Sequence, residues 1–137
     1  MKVLCFYTSK FSYTIGDKNH EEADEPALEG RFSSCIVAYI QAEETDETQD
    51  ILSREKKLTN HLKWVARKNN TESIVLHSFA HLSASKASLS FTRELFKATK
   101  ARLENGHYQT AITPFGYFLN LSMEAPGFSM ARIWADL

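Results

Sequence analysis

Residues 73–83 read Ser-Ile-Val-Leu-His-Ser-Phe-Ala-His-Leu-Ser, and this stretch decides how the chain is organised. Ser73–Phe79 is a short strand, and His77 alternates within it as a half-buried packing residue. From His81 a Ser-rich connection leads to a helix over about Ser90–Asn105. Phe91, Leu95, Ala98, Arg102 and Leu103 place an apolar stripe on that helix, and Gly106 follows as its C-terminal cap. Upstream, Ile51, Leu58, Leu62 and Val65 fall seven, four and three apart, which is one face of a helix from Thr48 to about Lys68. Thr45 or Asp46 can cap its start, and Asn69-Asn70 stops it. Before it, residues 31–42 (RFSSCIVAYIQA) form the clearest strand, with Phe32, Ile36 and Ile40 on one face and Cys35, Val37 and Tyr39 on the other.

The remaining segments extend this strand–helix–strand–helix unit. Residues 2–8 (KVLCFYT) suit an interior strand buried on two sides. Phe11–Ile15 reads as the returning strand of a hairpin closed by Gly16-Asp17. Residues 17–30 are acidic and read as a solvated surface excursion. Tyr108–Thr113 is a strand ended by Pro114, Gly116 marks a turn or bulge, Phe115–Met123 resumes, and Met130–Ala135 is a last strand. With no repeat and no linker, the 137 residues make one α+β domain, a mixed sheet with two helices packed on it.

Composition limits the function classes. Residues 1–50 carry 4 Lys/Arg against 11 Asp/Glu, and residues 51–137 carry 12 against 6, for a total charge of −1. That total is too low for tight, sequence-independent nucleic-acid binding. The basic half either faces phosphates or places Lys and Arg on the outer faces of two solvated helices. Cys5 and Cys35 sit in strands without a Cys-x-x-Cys or Cys/His cluster, which favours buried thiols over a disulfide or metal pair. No segment has the length of a membrane span or a signal peptide. P-loop, dinucleotide-glycine, nucleophile-elbow and paired-carboxylate motifs are all missing.

Two segments carry candidate chemistry. The first is the strand exit Ala80-His81-Leu82-Ser83, because ligand crevices in α/β sheets lie outside strand ends, where backbone N–H groups are unpaired. His81 there either reaches a pocket mouth or satisfies a loop leading into the helix. A His77/His81 metal pair lacks a third ligand. The second is Thr113-Pro114-Phe115-Gly116-Tyr117-Phe118-Leu119, where Pro and Gly bend a strand and turn its aromatics.

Taken in order, Ala80-His81-Leu82-Ser83, a helix, then Pro114-Phe115-Gly116 and an aromatic pair resemble the N-terminal editing domain of archaeal threonyl-tRNA synthetases. The resemblance covers nearly the whole chain. It implies a D-aminoacyl-tRNA deacylase-like fold, a homodimer and a cytoplasmic setting. The implied activity is hydrolysis of the ester that joins a small mischarged amino acid, chiefly serine, or a D-amino acid to tRNA. Some relatives act in trans beside a threonyl-tRNA synthetase catalytic chain, and an isolated domain of this length matches that arrangement. The partner it implies is the aminoacyl-tRNA 3′ end, with no metal and no organic cofactor. His81 and Tyr117 would be catalytic, and Ala80, Ser83, Phe115, Gly116, Phe118 and Leu119 would bind substrate.

The chain departs from the family pattern at named positions. Tyr117-Phe118 stands for a Trp-Tyr pair, Leu119 for a lysine that assists hydrolysis, and Arg132 for a glutamate. Met123-Glu124-Ala125-Pro126-Gly127 replaces a Cys-Lys-Gly-His-Pro stretch. A leucine can neither hold a carbonyl nor act as a base. The alternative expectation is therefore a catalytically impaired module that binds tRNA, an amino acid or a synthetase partner. A third is a subunit of another process that merely keeps the fold.

Overall fold

The computed structural model describes residues 1–25 and 29–137. The elements are β1 Lys2–Lys18, β2 Glu29–Gln41, α1 Glu44–Glu47, α2 Ile51–Lys68, β3 Ser73–Ser78, α3 Leu89–Asn105, β4 Gln109–Ile112, β5 Tyr117–Glu124 and β6 Arg132–Asp136. The sheet order is β4-β3-β2-β1-β5, and β6 pairs with β1 beside β5. The β2–β3 and β3–β4 pairs are parallel, while β1 is antiparallel to β2, β5 and β6. The mixed sheet and the strand–helix–strand–helix core follow the sequence reading, with four-residue α1 as an addition.

The expected first hairpin is not formed. Phe11–Ile15 continues β1 instead of returning, because β2 pairs with it from Lys2↔Gln41 to Thr14↔Glu29 without a register shift. Gly16-Asp17 is not a turn but lies in the strand where β1 slips register against β5, between Ile15 and Lys18. A Cβ on Gly16 would stand 2.5 Å from the Phe118 carbonyl oxygen, so the glycine permits a close strand approach. The surface excursion expected over 17–30 is correspondingly shorter, with its ends inside β1 and β2. Residues 26–28 of it lie outside the described residues.

Two apolar clusters flank the sheet. Val3, Cys5, Ile36, Ile40, Ile74 and Leu76 meet Leu58, Leu62 and Val65 of α2 and Leu95, Phe96 and Leu103 of α3. Phe11, Tyr13, Cys35, Val37, Tyr39 and Val75 form the other cluster. Phe32 belongs with this second group, not with Ile36 and Ile40. The ladder skips the Ser9–Ser34 pair, and Ser34 takes φ 49, which offsets the alternation of both strands. Phe32 therefore stacks on Phe11 with ring centroids 6.1 Å apart. Cys5 and Cys35 are free, buried and in different clusters, which excludes a disulfide between them. Burial pushes the Cys5 thiol up to about 12.

Helix ends obey local chemistry. Asp50 caps α2, its carboxylate accepting from the Leu52 and Ser53 amides, so the cap lies beyond Thr45 and Asp46. Those two residues belong to α1, and buried Asp46 pairs with Arg54 of α2 at 2.7 Å. Ser88 caps α3 by accepting from the Phe91 amide at 3.2 Å. Gly106 ends α3 at φ −89, and His107, at φ 69, takes the left-handed position in its place. Lys56, Lys57, Arg67 and Lys68 lie exposed along α2, consistent with a solvated outer face.

Candidate functional site

The parallel strands β2, β3 and β4 end at one rim of the sheet, where crossovers leave backbone groups unpaired. A cavity of about 720 Å³ opens there. One wall is the exit of β3, residues 77–81, with Ala87–Leu89 beside it. The opposite wall is Pro114–Leu119, and Asn19 and His20 close one side. The volume lies within the roughly 300–1,000 Å³ of small-ligand pockets.

The β3 exit is held by a buried glutamine. Gln41 Oε1 accepts from the Leu82 amide at 2.6 Å and the Ser83 amide at 2.8 Å. Its Nε2 donates to the Ser83 and Ser85 carbonyls, both at 2.9 Å. The Ser83 hydroxyl donates to Glu43 Oε2 at 2.6 Å. That bond, and then the Met1 ammonium, hold the Glu43 carboxyl down at about 2. With residues 82–85 fixed, Ala80 and His81 are presented at the cavity, and among the described residues their amides find no protein acceptor. The His81 side chain is exposed at the mouth and packs edge-on against Phe79, ring centroids 5.0 Å apart.

The facing wall is anchored by Asp24. Its carboxylate accepts from the Phe115 amide at 2.9 Å and from Arg93 Nη2 at 2.7 Å. Its carbonyl accepts from the Tyr117 hydroxyl at 2.9 Å. The Arg93 guanidinium lies over the Phe115 ring, 5.6 Å from the centroid, and Phe96 supports that ring at 5.4 Å. Gly116 stands at φ 87, and its carbonyl accepts from the Asn19 amide at 2.8 Å. A Cβ there would meet Ala23 Cα and Cβ at 2.6 Å, so only glycine fits.

The structure therefore gathers Ala80, His81, Phe115, Gly116, Tyr117, Phe118 and Leu119 around one cavity. Ser83 is not in its lining and serves instead in the clamp with Gln41 and Glu43. Phe118 is exposed, whereas Leu119 is half-buried and packs against the second apolar cluster.

Sequence reasoning missed four contributors. Gln41 looks like the polar end of a strand, and only its contacts reveal the clamp. Asp24 lies within the run read as solvated, and its capture of Phe115 corrects that reading. Lys86 is the one Lys or Arg in the cavity lining, and among the described residues it has no carboxylate within 4.0 Å. His77, read as a half-buried packing residue, is more deeply buried than that and also lines the cavity, with Nδ1 2.8 Å from Thr113 Oγ1. Burial lowers its pKa to about 4, so the ring is neutral at physiological pH. No group of three His, Cys, Asp or Glu side chains among the described residues is placed to hold a metal ion.

Comparison with known proteins gives the family and the fold. Residues 1–137 match the family described as the archaea-specific editing domain of threonyl-tRNA synthetase. A threonine-tRNA ligase of Pyrococcus horikoshii is 28% identical over 97% of this chain, and one of Methanococcus vannielii is 23% identical over 97%. The chain spans only 22% and 21% of those proteins' lengths. Among solved structures, the c-Myc DNA unwinding element binding protein superposes with a TM-score of 0.60 at 12% identity, covering 100% of this chain and 99% of that one. That likeness concerns the fold alone, an α+β arrangement of a mixed sheet with helices packed on it. This chain belongs to the family of archaea-specific editing domains of threonyl-tRNA synthetase.

Proposed function

We propose that this domain is an aminoacyl-tRNA deacylase acting in trans, which hydrolyses the ester joining a small mischarged amino acid to the tRNA 3′ end. The observation that carries this reading is the cavity between the Ala80–His81 exit and the Pro114–Leu119 bend, with two amides on one wall that have no acceptor among the described residues and an aromatic wall facing them. The amides of Ala80 and His81 hold the aminoacyl group, and the His81 side chain orients the terminal ribose or the attacking water. Phe115 and Gly116 limit the size of the amino acid. Tyr117, whose hydroxyl proton is committed to Asp24, shapes the wall beside Phe118. Water adds to the ester carbonyl, and the ribose oxygen leaves carrying a proton. The reading requires no metal or organic cofactor.

The domain works on the aminoacyl-tRNA 3′ end in the cytoplasm, beside a threonyl-tRNA synthetase catalytic chain. It pairs as a homodimer, and the exposed Phe118, Leu121, Met123 and Trp134 on β5 and β6 offer apolar surface for self-association. No described helix is long and apolar enough to cross a membrane.

The test is single-turnover release of serine from serine-charged threonine tRNA, beside D-aminoacyl and correctly charged controls. Release above the uncatalysed rate for the serine or D-amino acid substrate supports hydrolysis. Background rates on every substrate end it. A second reading has its own support, since Leu119 packs against apolar neighbours and brings no charge to the site. On that reading the domain binds a charged 3′ end or a synthetase without cleaving, and ligand binding without turnover distinguishes it.

A further inference from the structure

We propose that His77 donates its Nε2–H into the cavity and holds the carbonyl oxygen of the bound ester as negative charge develops on it. The inference rests on the deacylase reading and adds the group that stabilises the oxyanion.

The argument starts from Thr113. This residue is 3% exposed, and a buried hydroxyl proton must find an acceptor. Among the described residues its one partner is His77 Nδ1, at 2.8 Å. If the ring proton sat on Nδ1 and pointed at Thr113, the hydroxyl proton would be orphaned at a cost of about 1–3 kcal/mol. The satisfied arrangement has the Thr113 hydroxyl donating to Nδ1, which places the proton of a neutral imidazole on Nε2. Neutrality follows from burial, since His77 is 7% exposed and titrates near 4.

Nε2 is the atom left over. Among the described residues it makes no hydrogen bond, yet it is not one of the buried polar atoms lacking a partner, which are Arg54 Nε, His61 Nε2 and Asn69 Oδ1. It is therefore not sealed off from open space, and His77 is among the residues that line the cavity. Tyr39 and Phe79 pack edge-on and tilted against the ring, with centroids 5.2 and 5.9 Å away, and fix its plane. A fixed neutral donor in a largely apolar surround strengthens its hydrogen bond as charge develops and needs no reorganisation. In the reaction the water oxygen bonds to the carbonyl carbon and the carbonyl π pair moves onto oxygen, where Nε2–H meets it. On collapse the bond to the ribose oxygen breaks, and that oxygen leaves with the proton released by water. The histidine keeps its own proton throughout.

The test combines ring NMR with kinetics. In ¹⁵N-labelled wild type, His77 is expected as the Nε2-protonated neutral tautomer, and Thr113→Ser should keep that tautomer while Thr113→Val loses it. Binding of a non-hydrolysable seryl amide of 3′-amino-3′-deoxyadenosine should shift the His77 Nε2 resonance and leave that of His61 unmoved. His77→Phe should lower the single-turnover rate by about 100-fold or more, with half-saturation little changed. An Nδ1-protonated ring, an analogue that fails to bind or binds without moving Nε2, or full activity in His77→Phe would overturn the inference. If the analogue shifts Nε2 while wild type cleaves no charged tRNA, hydrolysis is refuted and the carbonyl contact stands.

Discussion

The Asp24 carboxylate accepts a hydrogen bond from the Phe115 backbone amide at 2.9 Å, joining residues 91 positions apart. This bond ties the segment after β1 to the bend before β5, and with it the wall of the cavity. Asp24→Ala should cost about 1–3 kcal/mol in urea unfolding, mostly from the orphaned Phe115 amide. The Arg93 ion pair adds little, because both side chains are about a third exposed. Asp24→Asn keeps an acceptor for Phe115 and should lose less.

Gly116 at φ 87 has no room for a side chain against Ala23. Gly116→Ala should lower thermal stability by the equivalent of about 1–3 kcal/mol, the range for a strained backbone position. Deacylation should fall more steeply than the melting temperature, since the displaced backbone carries Phe115 and Tyr117. Unchanged turnover in a folded variant would remove the bend from the site.

Lys86 lines the cavity and has no carboxylate partner among the described residues, and the partner proposed for it is a phosphate near the tRNA 3′ end. Lys86→Ala should raise the half-saturating tRNA concentration and lower the salt slope of binding by about one. The chemical step at saturation should be unaltered. Equal salt slopes in the two proteins would show that no phosphate is met there.

His77 links stability to pH. Its folded pKa lies near 4, below the ordinary 6.5, so the unfolded chain binds the extra proton between those values. Its contribution is fully present above pH 6.5 and is lost as pH falls towards 4. Wild type should therefore lose on the order of 3 kcal/mol more than His77→Phe across that window. Paired urea titrations at both ends measure the difference.

Much of the fold was legible because its signals are local. Ile51, Leu58, Leu62 and Val65 write out the buried face of α2, and the apolar run in Ser73–Phe79 marks β3. The hairpin error at Phe11–Ile15 has a definite origin. A 17-residue strand served on one edge by two later strands, β5 and β6, leaves no mark in the sequence of β1 itself. The flip of Phe32 comes from one left-handed serine, a conformation serine does not advertise. At the site, Ala80-His81 and Phe115–Leu119 stood out as a strand exit and a Pro–Gly bend and through the family resemblance, and the structure sets both segments on one cavity. Gln41, Asp24 and the His77–Thr113 pair were not, because their roles exist only across contacts 36 to 91 residues apart.

The central claim is that the cavity between Ala80–His81 and Pro114–Leu119 receives the aminoacylated 3′ end of a tRNA. A crystal structure with the seryl amide of 3′-amino-3′-deoxyadenosine bound tests it most directly. The account predicts the seryl group between His77 and Phe115, its carbonyl within hydrogen-bond distance of His77 Nε2, and the ribose beside His81. The analogue seated elsewhere on the surface, or no analogue at saturating concentration, would contradict it.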